Sequence, residues 1–213
     1  MYTHQQSKNK HLKPTISVIV FDLDKTLYVN KKISQHIDLK IKKFIQGRVP
    51  EITDKKLQKL ESEIPNVLDV IKYFGLDQRD FDNYVYRDTS YLNKLKPNEN
   101  LVKMLASFNM KKYVVSLSPR LHINKVLDTL KIRQLFDGVF SVNEGFKNKE
   151  EVYQSIINET EIDPSQVCVV GDNYDIDLRP AKKLGMKTIL INLKSMKQTY
   201  CIKSILELKY ARL

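Results

Sequence analysis

Asp22 and Asp24 stand two residues apart, directly after the apolar run Ile16-Ser17-Val18-Ile19-Val20-Phe21. Removing a carboxylate from water is costly unless a cation or hydrogen-bond donors take the water's place. Two carboxylates at the end of a buried run therefore ask for a cation, and three further stretches offer the rest of a site. Ser116 closes Tyr113-Val114-Val115-Ser116, Lys147 precedes a helical pattern, and Gly171-Asp172 opens a stretch that reaches Asp177. A carboxylate such as Asp22 can attack phosphorus and carry the phosphoryl group as an acyl phosphate. Asp24 can give a proton to a leaving alkoxide and later take one from water. Ser116 can donate to a phosphoryl oxygen, and Lys147 can offset crowded anions as a point charge. Asp172 and Asp177 add the oxygen ligands that Mg²⁺ prefers beside substrate phosphate. An aspartate after a strand can also serve only a turn or a helix cap, but the four stretches together favour chemistry.

These residues need a scaffold that brings distant segments together. Five β-type runs cover residues 15–21, 112–116, 138–142, 167–170 and 188–191. Helical stripes lie between the later ones: Leu101, Met104, Leu105 and Phe108; Ile123, Val126, Leu127 and Leu130; Val152, Ile156 and Ile157. Strand alternating with helix predicts an α/β fold, a Rossmann-like parallel sheet with helices on both faces. Ligands of such sheets bind beyond the carboxyl ends of the strands, where the four stretches fall. Residues 30–93 break the alternation. Ile33, Ile37, Ile41, Phe44 and Ile45 keep helical spacing, Thr53-Asp54 offers a helix N-cap, and Pro65 interrupts the next helix. This interval reads as a cap of about four helices, flanked by core segments 15–29 and 94–213 and preceded by a flexible tail over 1–14.

The 213 residues suffice for one core with a smaller insert. The net charge of +11 suits an anionic substrate. Its lysines are dispersed and no nucleic-acid motif accompanies them, so a polymer is not the expected main partner. Gly-rich nucleotide cradles are absent. Cys168 and Cys201 make neither a disulfide framework nor a zinc set. No apolar segment reads as a secretory signal or a membrane span, so the expectation is a cytoplasmic protein without a membrane partner.

The four stretches, in this order, resemble the motifs of the haloacid dehalogenase (HAD) superfamily from about residue 17 to 191, in its phosphatase branch. The resemblance implies Asp22 as nucleophile, Asp24 as acid/base and backbone metal ligand, and Thr26 as a structural hydrogen-bonder. It implies Ser116, Leu117 and Lys147 at the phosphate, with Mg²⁺ held by Asp22, Asp24 and Asp172 and supported by Asp177. Lys147 stands 25 residues before Asp172, as the family lysine does, and Lys149 is its rival. Leu117 replaces the usual Asn, so a polar contact is lost or passes to Ser118; Asn148 replaces the usual Pro after the lysine. True dehalogenases of the superfamily lack an acid at the position of Asp24, which implies phosphoryl chemistry. Asp24-x-Thr26-Leu27-Tyr28 and the stretch from Asp88 to Pro97 look like pyrimidine 5′-nucleotidases, implying a small phosphorylated substrate such as a nucleoside 5′-monophosphate. A sugar-phosphate phosphatase, a phosphomutase and a non-catalytic binding module are the alternatives.

Overall fold

The computed structural model describes residues 15–64, 66–191 and 200–211. The tail expected over 1–14 and the break at Pro65 lie outside them. Six parallel strands form one sheet: β1 (Val18–Phe21), β2 (Lys111–Ser116), β3 (Gly138–Ser141), β4 (Val167–Gly171), β5 (Lys187–Ile191) and β6 (Cys201–Ile202). Their order is β3-β2-β1-β4-β5-β6. The five expected strands are present. The sixth, β6, has two residues and is too short to show a period in the sequence.

β1 is buried on both faces because its side chains alternate between two cores. Ile19 and Phe21 join Leu105 of α5 (Glu99–Ala106) and Val126 of α6 (Arg120–Thr129). Val18 and Val20 join Val152 and Ile156 of α7 (Lys149–Thr160) and Ala181 of α8 (Arg179–Lys183). Each such side chain removed from water contributes about 1.5–3 kcal/mol, so the central strand is a rigid base for the acidic turn after it.

After β1 the chain enters four helices: α1 (Lys31–Arg48), α2 (Asp54–Glu63), α3 (Val67–Tyr73) and α4 (Gln78–Tyr86). Asn30 caps α1, and Thr53 caps α2 as the sequence predicts, its hydroxyl accepting from the Lys56 N–H. These helices pack on a core of their own, built on Phe44, Ile45, Val70, Phe81 and Val85. Among the described residues no helix is long and apolar enough to cross a membrane.

Candidate active site

The chain runs from β1 to β2 and β3 on one side, then returns to β4 on the other side of β1. This reversal opens a crevice at the carboxyl ends of β1 and β4. Asp22 follows β1, Ser116 ends β2, and Asp172 follows β4, so three adjacent strands deliver three expected site residues to one edge. Asp22 is tied to the sheet by its N–H, which donates to Val170 O at 2.9 Å.

The next residues wind into a tight turn. Leu27 N–H donates to Leu23 O at 2.9 Å, and Lys25 takes a left-handed φ of 65°. A non-glycine residue in that region is a local cost tolerated where the surroundings enforce it, commonly beside functional groups. The turn aims Asp24 away from Asp22. Asp24 Oδ1 accepts from the Tyr28 hydroxyl and from His122 Nε2 at 2.9 Å. Its Oδ2 accepts from the Ser118 hydroxyl at 2.8 Å. Burial alone pushes the Asp24 carboxyl up, but His122, Tyr28 and Ser118 together hold it down to about 2. The expected structural hydrogen bond of Thr26 is not made: its hydroxyl is buried without a partner among the described residues.

The lysine of the site is Lys149, which corrects the expectation of Lys147. Lys149 Nζ donates to Asp22 Oδ1 and Asp177 Oδ1, each at 2.7 Å, and its side chain is 1% exposed. The Lys147 side chain is 86% exposed and faces Glu151. The reason is a helix cap. Asn148 Oδ1 accepts from the Glu151 N–H, and the Glu151 carboxylate accepts from the Lys147 N–H. That arrangement resembles a capping box and leaves Lys147 outside the helix. Lys149 becomes the first helical residue, on the face it shares with the buried Val152, Tyr153 and Ile156. The signal is present in the sequence: 149, 152, 153 and 156 form one helical stripe.

Asp177 lies on a π-helical turn, Tyr174–Leu178, and folds back toward β4. Its Oδ2 accepts from Asn173 N–H at 2.9 Å. A Cβ on Gly171 would come within 2.6 Å of Asp177 Cγ, so the glycine before Asp172 makes room for this return. Asp22, Asp172 and Asp177 each offer an oxygen within 4.8 Å of the others. Burial pushes Asp22 up to about 8, with Lys149 opposing and Asp177 and Asp172 adding to the rise. Burial and Asp177 likewise push Asp172 up to about 6. Two of the three carboxylates thus bond one buried ammonium, and Lys25 and Lys149 only partly oppose the rise at Asp172, so the oxygen-rich donor set is short of positive charge. It fits a hard divalent cation. The Asp24 side chain is not in this set; its oxygens are spent on Tyr28, His122 and Ser118.

Ser116 Oγ accepts from the Ser118 N–H at 3.1 Å, which bends the chain after β2 beside Asp22. Ser116, Leu117 and Ser118 line a cleft of about 280 Å³ with Asp22, Asp24 and Lys149. The opposite wall belongs to the helical insertion: Ile33, Ile37 and Ile41 of α1, Val67 of α3 and Tyr86 of α4. Ser34, Asp38 and the Tyr86 hydroxyl are its polar groups. A larger cavity of about 600 Å³ lies between α1, α2 and α3 but contains none of the strand-end residues. Sequence reasoning misses His122. Its signal there is its spacing from Val126, one turn along the buried stripe of α6.

A strand-end aspartate, a buried lysine and an acidic cluster beyond β4 meet at one edge of the sheet, and known hydrolases match the chain. The family model for haloacid dehalogenase-like hydrolase matches residues 19–191, and the chain belongs to this family. Among solved structures it resembles a HAD phosphatase from Thermococcus onnurineus at 19% identity and a TM-score of 0.58, covering 92% of this chain and 97% of that one. The L-2-haloacid dehalogenase from Xanthobacter autotrophicus with chloropropionic acid covalently bound is 15% identical, with a TM-score of 0.57 and coverage of 92% and 98%. A HAD-hydrolase from Bacillus subtilis bound to magnesium is 12% identical, with a TM-score of 0.61 and the same coverage. At these identities the likeness concerns the fold. No curated protein matches the chain.

Proposed function

We propose that the protein is a Mg²⁺-dependent cytoplasmic phosphatase that hydrolyses a small phosphate monoester through an aspartyl-phosphate on Asp22. The observation that carries this reading is Asp24, a second carboxylate two residues after Asp22 that three donors hold in one orientation. An ester leaving as an alkoxide needs a proton donor; displacement of a halide does not. Asp24 therefore separates the phosphatase from the dehalogenase reading that the fold alone leaves open.

In the first half-reaction Asp22 attacks phosphorus, the bond to the leaving oxygen breaks, and Asp24, which carries a proton for this step although its three donors favour the ionised form in the free protein, gives that oxygen its proton. In the second, water attacks the same phosphorus, Asp24 takes the water's proton, and the Asp22 carboxylate is released with inorganic phosphate. Lys149 orients Asp22 through Oδ1 and offsets the charge of the phosphoryl oxygens. Ser116 and the Leu117 backbone bind those oxygens. Asp22, Asp172 and the Asp24 backbone would hold Mg²⁺, which would supply the positive charge that keeps Asp22 ionised beside a phosphate dianion.

The helical insertion acts as the cap over this cleft and sets the substrate. Its wall is largely apolar, with hydroxyls at Ser34 and Tyr86 and one acid at Asp38, and among the described residues it offers no lysine or arginine to the cleft. That lining suits an uncharged leaving group with hydroxyls and a flat face, as in a nucleoside 5′-monophosphate. It disfavours the second anion of a bisphosphate, and with it the usual mutase substrates. The test is release of inorganic phosphate from a panel of nucleoside monophosphates, sugar phosphates and aryl phosphates, with Mg²⁺ or with EDTA. Turnover of uncharged-leaving-group esters in Mg²⁺ alone is expected. Equal turnover in EDTA, or none with any ester, would overturn the reading.

A further inference from the structure

We propose that His122 is a positioning residue for proton transfer: it fixes Asp24 Oδ1, so that Oδ2 is the oxygen through which the proton moves. This rests on the phosphatase reading. The imidazole is completely buried and bonded at both nitrogens. Nε2 meets Asp24 Oδ1 at 2.9 Å, and Nδ1 meets the Tyr91 hydroxyl at 2.7 Å. Because a carboxylate oxygen only accepts, Nε2 carries the hydrogen, and Nδ1 accepts from Tyr91. Tyr91 thus sets both the tautomer and the tilt of the ring. Its own ring is stacked on His36 of α1, with centroids 4.9 Å apart.

The origin of each donor gives His122 its role. Tyr28 lies in the same turn as Asp24 and moves with it. His122 comes from α6, anchored in the sheet's main core beside Ile123 and Val126, and ties that turn to a rigid element. With Tyr28 and His122 on Oδ1, both accepting positions of that oxygen are filled. Oδ2 receives only the Ser118 hydroxyl among the described residues and keeps one accepting position, on a residue that lines the cleft. Loss of His122 would free Asp24 to rotate and spread the proton over both oxygens.

Positioning of an acid matters in proportion to how much the leaving group needs a proton. The test is the rate on p-nitrophenyl, phenyl and benzyl phosphates, three esters of similar shape whose leaving oxygens rise in basicity. For His122→Leu we expect kcat on the benzyl ester to fall by about 10²-fold or more, the range of general acid catalysis. The loss on the p-nitrophenyl ester should be at least about tenfold smaller, with KM little moved on either. His122→Gln, which keeps an N–H near Nε2, should recover part of the benzyl rate. Tyr91→Phe should reproduce the same ordering more weakly, and it serves with the Gln variant if the Leu variant does not fold. Equal losses on all three esters, or no loss on the benzyl ester, would overturn the positioning role alone. A wild-type protein that hydrolyses none of the three in Mg²⁺ would overturn the phosphatase reading and this role with it.

Discussion

The carboxyl edge of the sheet and the helical insertion both contain ion pairs, on opposite terms. At the sheet edge Lys149 is almost wholly buried between Asp22 and Asp177. In the insertion, Arg48 and Asp80 join α1 to α4 with side chains 32% and 53% exposed. Burial makes the first arrangement expensive and its shared cation hard to replace; exposure makes the second cheap. The sheet concentrates charge where covalent chemistry needs it. The insertion relies on Phe44, Ile45 and Phe81 for its integrity and keeps its Arg48–Asp80 pair largely in water. On the proposed reading, a protein built this way can change its cap, and so its substrate, without disturbing Asp22.

Substitutions at the sheet edge test the difference most strongly. Asp22→Asn is expected to reduce turnover by at least about 10³-fold, since removal of a nucleophile leaves only residual catalysis. Its thermal midpoint should hold or rise, because one of three crowded carboxylates is neutralised. Phosphate release within about tenfold of wild type would sink Asp22 as the nucleophile. Lys149→Met should lose activity and also about 3–5 kcal/mol of stability in a denaturant titration, because Asp22 and Asp177 lose their shared cation. Lys147→Ala, two residues earlier and solvent-facing, should leave both nearly as they are. A reversed ranking of these two lysines would refute the geometry of the site.

That pair of lysines also shows how far residue order alone reveals the site. Runs such as Val18–Phe21 and Val167–Gly171 announce themselves because strands buried on both faces must be continuously apolar. The insertion is legible from helical spacing, and Asp22, Asp24, Ser116, Asp172 and Asp177 from residue type at strand ends. Lys149 is passed over when a distance along the chain is weighed above the stripe it shares with Val152 and Ile156. His122 escapes for another reason. Its partners Tyr91 and Asp24 lie 31 and 98 residues away, and no local pattern reports such contacts. Thr26 shows the converse, a hydroxyl whose expected bond does not form.

The hydrogen bonds between the insertion and the loop after β3 should respond to pH. Asn143, after β3, donates through Nδ2 to both oxygens of Asp82 on α4, at 3.2 and 3.0 Å. Burial pushes the Asp82 carboxyl up to about 6, with Asn143 opposing. The folded state thus holds a proton that the unfolded chain has already released. Asp82 costs increasing stability as pH rises from its ordinary carboxylate range to about 6, and the cost is then constant. Asp82→Asn keeps an acceptor for Asn143 and lacks the titration. Its thermal midpoint relative to wild type should climb by about 2–4 °C across that window and then level, an effect already reduced for solvent screening. A difference that is flat with pH, or falls, would show that Asp82 is not held protonated at this junction.

The smallest effect belongs to the exposed pair inside the insertion. Arg48 gives Nε and Nη2 to Asp80 Oδ2 at 3.0 and 2.7 Å, and its guanidinium lies 3.7 Å from the centroid of the Phe44 ring. A double-mutant cycle of Arg48→Ala and Asp80→Ala should give a coupling of about 0.2–1 kcal/mol, shrinking in about 1 M salt. The Arg48→Ala change alone should exceed that coupling, because its packing on Phe44 survives in the Asp80→Ala background. A coupling of several kcal/mol that ignores salt would mean this pair behaves like Lys149 and its carboxylates. The insertion would then store charge as the sheet edge does, and the division between a charged chemical edge and an apolar, exchangeable cap would fail.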